Sequence, residues 1–144
     1  MSTTPFGRIL VPIASTDDAR ATSRALRRQF DLDETDVTFV YVVEKAGGAP
    51  DKAGVEQREE VAEEAFEAAR AELPDVEVET AIAYDTDVAE GIRAEAAERG
   101  VDAIAFLPRE ESRLARFLSG DVALSLIADA DRPVVSLPGV AGPT

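Results

Sequence analysis

Short apolar runs alternate along the chain with longer stretches that carry helical signals. The first run, Arg8–Ala14 (RILVPIA), is almost continuously apolar, as a strand buried on both faces of a parallel sheet requires. Thr16, Asp17 and Asp18 then offer N-caps for a helix reaching about Phe30. Ala19, Thr22, Leu26 and Phe30 step by three and four and form its inner face. Asp36–Val43 (DVTFVYVV), rich in β-branched and aromatic residues, predicts a second strand. Lys45–Ala53, with Gly47, Gly48 and Pro50, reads as a loop that could serve as a lid. Gly54–Leu73 predicts a long helix, with Ala62, Ala65, Phe66, Ala69 and Leu73 on one face. Glu59, Glu60, Glu63, Glu64 and Glu67 make its other face a solvated one. Val76–Ala83 predicts a third strand, with Val76, Val78, Thr80 and Ile82 on one side. Asp87–Arg99 predicts a third helix with Val88, Ile92 and Ala96 inward and Gly100 just past its end. Asp102–Leu107 predicts a fourth strand, Pro108–Ser112 a polar loop, and Arg113–Leu118 a helical turn. Asp121 is placed to cap a helix to about Ala130, before a fifth strand at Arg132–Leu137. Residues 139–144 read as a frayed tail.

The resulting order, βαβαβαβαβ, predicts an α/β fold: a mostly parallel sheet, right-handed crossovers, and helices on both faces. The 144 residues are enough for one domain, assigned here to residues 1–138. In such sheets ligands bind beyond the carboxyl ends of the strands, where the strand order reverses. With the first strand central, that crevice is expected between strands one and four. Ile13–Thr16 and Leu107–Ser112 would face it, with Gly120–Asp121 nearby. Neither a GxxxxGK[ST] phosphate loop nor a GxGxxG turn is present.

Composition narrows the chemistry. Asp and Glu number 29 against 15 Lys and Arg, a formal charge of −14, and the only lysines are Lys45 and Lys52. No basic stripe is present to neutralise a nucleic-acid backbone. No apolar run approaches the roughly 18 residues of a membrane span, and no leader pattern opens the chain, so a cytoplasmic protein is expected. With no Cys and no His, thiol chemistry, histidine triads and most zinc sites are excluded. No catalytic residue and no metal ligand is assigned, although Glu110 and Asp121 are one carboxylate pair that falls in the expected crevice. Strong self-repulsion with almost no Lys points to a source with a saline cytoplasm, an ordinary acidic protein being the alternative. Asp17 and Asp18 mimic the acidic pair of a phosphoacceptor receiver domain, but with lysines only at 45 and 52 its acid-plus-lysine site cannot be assembled.

RILVPIAST, VDAIAFLPREESRLARFLSGDVA and ADRPVVSLP resemble the universal stress protein family, and the likeness runs from Gly7 to Pro138. Haloarchaeal members look similar, which fits the charge. The resemblance implies a five-stranded parallel sheet in the order 3-2-1-4-5 and a homodimer formed through the last strand. ATP-binding members carry G-x2-G-x9-G-[ST] after the fourth strand. Aligned on Gly120, that pattern puts Leu107 and Glu110 at the first two glycines and Asp121 at the hydroxyl. Ala14 stands where the family places an Asp near the nucleoside, and Asp85-Thr86-Asp87-Val88 replaces a G-x-P element.

These departures act against a phosphate. Glycines let backbone N–H groups approach phosphate oxygens, and side chains at 107 and 110 add bulk. A phosphate about 4 Å from the Asp121 carboxylate meets roughly 4 kcal/mol of repulsion per unit charge at an effective dielectric of about 20. Arg109 and Arg113 could offset part of this by forking a phosphate, or could simply pair with Glu110, Glu111 or another acid. The resulting expectation is a regulatory or stress-response module with no cofactor. The alternative is a nucleotide site for ATP, AMP or a cyclic dinucleotide. It would be built from Ile13, Ala14, Val42, Leu107, Arg109, Glu110, Arg113, Gly120, Asp121 and Val122. Tyr84 could stack on a base or be an ordinary half-buried tyrosine. The fifth strand lies at a sheet edge in the implied order, so pairing through Val134, Val135, Ser136 and Leu137 is the expected self-association. Cover by Pro138–Pro143 is the competing arrangement.

Overall fold

A computed structural model describes residues 6–45, 52–108 and 120–138. The elements run β1 (Arg8–Pro12), α1 (Thr16–Gln29), β2 (Asp36–Glu44), α2 (Lys52–Glu72), β3 (Val78–Asp85), α3 (Val88–Arg99), β4 (Ala103–Phe106), α4 (Gly120–Ala128) and β5 (Val134–Ser136). The five strands are parallel and lie in the order β3-β2-β1-β4-β5. β1 and β4 are central and apolar because helices cover both their faces.

Strand alternation divides the core in two. Ile9, Val11, Ile13, Val37, Phe39, Ala103, Ala105 and Leu107 point to one side, where α1 and α2 add Ala19, Leu26, Ala62, Ala65, Phe66 and Ala69. Leu10, Val40, Ile104 and Phe106 point to the other, against Ala89, Ile92 and Ala96 of α3 and Leu126 of α4. The small alanines let α1 and α2 approach closely, and two arginines tie them at the rim. Arg24 makes a forked contact to Glu72, with both bonds at 3.1 Å, and Arg27 reaches Asp75 at 2.6 Å. These pairs are exposed and each contributes little next to the apolar layer. Arg132 has a larger structural task. Its Nη1 donates to the carbonyls of Ala96 (3.0 Å) and Val101 (2.9 Å), satisfying acceptors where α3 ends. Gly100 closes that helix in the left-handed region, at φ 64°.

Several element ends differ from expectation. The N-cap of α1 is Ser15, whose Oγ accepts the Asp18 N–H at 3.0 Å, rather than Thr16, Asp17 or Asp18. β3 ends at Asp85, two residues later than expected, because β2 continues to Glu44 and the pairs Val43–Tyr84 and Glu44–Asp85 extend the ladder. Asp121 lies inside the first turn of α4 rather than before it. Leu137 was expected at a dimer contact, but its side chain is buried in the α1–α2 core while its N–H donates to Phe106 O. The expected solvated face of α2 is present, with Glu60, Glu63, Glu64 and Glu67 exposed. The expected tail, residues 139–144, lies outside the described residues, as do residues 46–51 of the expected lid. Among the described residues no helix is long and apolar enough to cross a membrane.

Candidate functional site

At the carboxyl ends of β1 and β2 the sheet opens into a cavity of about 240 Å³. Pro12, Ile13 and Ala14 leave β1 along its floor. Val40, Tyr41, Val42 and Glu44 of β2 form one side, with Val88 and Ile92 of α3 and Val122 of α4 as walls. The opening arises because α1 leaves β1 towards one face of the sheet while α3 and α4 cover the other. It therefore lies over β1 and β2 rather than between strands one and four. β4 ends in Leu107, which has the parity of Ala103 and Ala105 and is sealed with them into the α1–α2 core.

Of the residues expected at a nucleotide site, Ile13, Ala14, Val42 and Val122 line this cavity. Leu107 does not, being 5 % exposed and packed on the opposite side of the sheet. Gly120 and Asp121 occupy the exposed start of α4, beside Val122 but outside the lining. Arg109, Glu110 and Arg113 lie outside the described residues. Tyr84 is also away from the cavity. Its hydroxyl donates to Glu59 of α2, and that bond raises the phenol's pKa.

Sequence reasoning missed two features of the site. Gly91 sits where α3 meets the ends of β2 and β3. A Cβ there would lie 3.0 Å from Val42 Cγ1 and 3.1 Å from Asp85 Cβ, so a bare backbone sets how closely the wall approaches. The second is Asp18. Its place after β1 suits a helix-capping acid, yet it is 1 % exposed. Its Oδ2 accepts the Ala14 N–H at 2.8 Å and its Oδ1 accepts the Thr22 hydroxyl at 2.7 Å. The carboxyl thus holds the turn that forms the cavity floor. Burial pushes it up from 3.8 to about 7, against the two hydrogen bonds, which favour the ionised form. The clue in the sequence is the S-x-x-D spacing of Ser15 and Asp18, a capping-box pattern. Here the acid reaches past the cap to the preceding amide.

The lining side chains are apolar except for Tyr41 and Glu44, and backbone groups at the strand ends add polar surface. Glu44 is a carboxylate at the rim, and its backbone carbonyl accepts a bond from Arg58 at 3.0 Å. Tyr41 is half-buried, and burial raises its pKa against the nearby Arg58 charge. Among the described residues no acid cluster is arranged to hold a metal ion, the Glu-rich groove of α2 included. Such a cavity can enclose a small, mainly apolar or planar molecule and offer it strand-end backbone groups.

Comparison with known proteins agrees with this architecture. The structure of a universal stress protein from Archaeoglobus fulgidus superimposes with a TM-score of 0.69 at 21 % identity, over 96 % of this chain and 100 % of that one. A universal stress protein from the same organism in complex with dAMP gives 0.68 at 20 % identity, over 94 % and 100 %. The crystal structure of a universal stress protein in complex with cAMP gives 0.65 at 14 % identity, over 95 % and 100 %. A search of curated proteins returns no match. Residues 5–138 match the family model described as the universal stress protein family. With that match spanning nearly all of a sheet built in the order 3-2-1-4-5, the chain belongs to the universal stress protein family.

Proposed function

We propose that the protein is a non-catalytic stress-response module whose cavity does not hold ATP in the manner of the family's ATP-binding members. The observation that carries this reading is Leu107. At the position where those members have the first glycine of their phosphate loop, a leucine side chain is packed into the α1–α2 core. That packing pins the end of β4, so the backbone there can shift towards an anion only by uncovering apolar surface, a loss of about 1.5–3 kcal/mol for a side chain of this size. The Asp121 carboxylate in the first turn of α4 adds repulsion at the helix end that would otherwise attract an anion. Calorimetry with ATP and Mg²⁺ in molar KCl tests the reading: no measurable heat is expected, and micromolar affinity overturns it.

A second reading has its own support. The cavity exists, Ile13, Ala14, Val42 and Val122 line it, and structural relatives were solved with dAMP and cAMP. An altered site for AMP, ATP or a cyclic dinucleotide would draw on Arg109 and Arg113. Replacing both should then abolish any nucleotide binding found, and unchanged affinity rejects this arrangement.

We also propose a cytoplasmic homodimer adapted to high salt. β5 pairs only with β4 in the described sheet, leaving its outer edge open. On α4, Ser125 faces α3 through Arg93 and Leu126 faces the core, whereas Leu124 and Ile127 are 67 % and 54 % exposed. Helical spacing turns Ile127 and Leu124 away from α3, towards the β5 side. Val134, Val135 and Ser136, with these two side chains, would make the surface for a second copy, while Leu137 serves the protomer's own core. Light scattering should show Val135→Lys shifting a dimer towards monomer, and a monomeric parent refutes the proposal.

A further inference from the structure

The floor of the cavity is held by a group that the family reading leaves without a task. Asp18 is an acid inside the protein, 1 % exposed, with two hydrogen bonds and, among the described residues, no cationic partner. Its proton affinity is set by burial, the Thr22 hydroxyl and the Ala14 N–H, with no charged side chain among the influences. The neighbouring Asp17 lies 3.6 Å from Arg20, and both are about half exposed, so that pair sits at the solvent side of α1. Thr22 and Asp18 are one helical turn apart, and Ser15 Oγ fixes the Asp18 N–H. Through the Ala14 N–H, the carboxyl is one hydrogen bond away from a residue that lines the cavity.

We propose that Asp18 is a proton switch on the cavity floor, gripping the Ala14 amide tightly when ionised and loosely when protonated. When a proton from solvent arrives, the new carboxyl O–H needs an acceptor, and Thr22 Oγ1 already stands 2.7 Å from Oδ1. The Thr22 hydroxyl, no longer donating to Oδ1, can turn to the carbonyl four residues earlier in its own helix. Oδ2 still faces the Ala14 N–H, but as a neutral acceptor, and a charge-assisted bond is roughly twice as strong as a neutral one. The turn from Pro12 to Ser15 is therefore tighter above the switching point than below it. That point lies near neutral pH, because burial raises the carboxyl to about 7. The chain has no histidine to supply such a transition otherwise. By linkage, an anion placed in the cavity favours the protonated form and is bound with proton uptake, whereas an uncharged occupant is not. This last consequence rests on the cavity being a ligand site, as the second reading above has it.

The test uses the free protein. Amide spectra of the full chain are recorded in molar KCl from pH 5 to 8.5, following the Ala14 N–H. Its resonance is expected to move through a single midpoint near neutrality in the wild type and to stay fixed in Asp18→Asn. Thr22→Val, which removes a hydrogen bond to the ionised form, is expected to move the midpoint to higher pH. An Ala14 resonance that does not titrate, or that titrates equally in Asp18→Asn, overturns the proposal. If Asp18→Asn does not fold, an unchanged midpoint in Thr22→Val overturns it instead. Failure of nucleotides to bind would reject the ligand reading and leave this titration intact.

Discussion

Replacing Asp18 by Asn removes a charge that the fold keeps almost dry, while preserving the shape and an oxygen for the Ala14 N–H. The carboxyl ionises at about 7 in the folded protein against an ordinary 3.8. The folded state thus holds this proton more tightly than the unfolded chain does. The stability it contributes is complete below about pH 4 and is lost as pH rises to about 7. At about 1.4 kcal/mol per pH unit, the loss amounts to about 4 kcal/mol. That is a large share of the roughly 5–15 kcal/mol that holds a typical domain. The Asn variant carries no such loss, so its stability relative to wild type should grow by about 3 kcal/mol between pH 5 and 8. Glu72, Asp75 and Asp131, held below the usual carboxylate range by bonds from Arg24, Arg27 and Arg132, lose stability in the opposite direction, as pH falls. They are common to both proteins and cancel in the difference. Urea unfolding followed by circular dichroism, at fixed molar KCl and half-unit pH steps, measures that difference. A gap constant to within about 0.5 kcal/mol across the range would refute the claim that burial governs this carboxyl.

Phe66→Ala empties a fully buried site between α2 and the sheet, and urea titration should show a loss of about 3–5 kcal/mol. Gly91→Leu pushes a side chain into the side chains of Val42 and Asp85, and should cost about 1–3 kcal/mol by the same assay. An unchanged midpoint would show that α3 can step back from the cavity wall. A formal charge of −14 should make the melting temperature climb from low to molar KCl as self-repulsion is screened. A flat profile would reject the salt-adapted reading.

Much of the fold was legible because strand and helix periods differ and this chain respects both. The apolar runs at Arg8, Asp36 and Asp102 mark β1, β2 and β4, and the alanine-rich stripe of α2 marks the face that meets α1. The strand order came from the family resemblance and was then found in the sheet. The parity of Leu107 is itself a signal in the sequence. Counting by twos from Ala103 puts it with the α1–α2 core, away from a ligand. Leu137 has the parity of Val135 and turns to the same core for the same reason. The N-cap of α1 was not legible in that way, since Ser15, Thr16, Asp17 and Asp18 are all competent caps. Which of them leaves the helical backbone depends on where the turn from β1 delivers the chain, and that is set by packing.

The sequence by itself determined the class of the protein: alternating strands and helices, one parallel sheet, no histidine or cysteine chemistry, and a surface dominated by carboxylates. It also carried four of the cavity's lining residues, because strand ends and the start of α4 must meet at one edge of such a sheet. Tertiary structure alone decided that the cavity opens over β1 and β2, that Gly91 sets its wall, and that Asp18 lies beneath its floor. The reason is physical. An aspartate at the third position of a helix is usually a solvated acid stabilising the helix dipole. Only when the surrounding layers close over it does desolvation outweigh its hydrogen bonds and turn it into a group that titrates near neutrality.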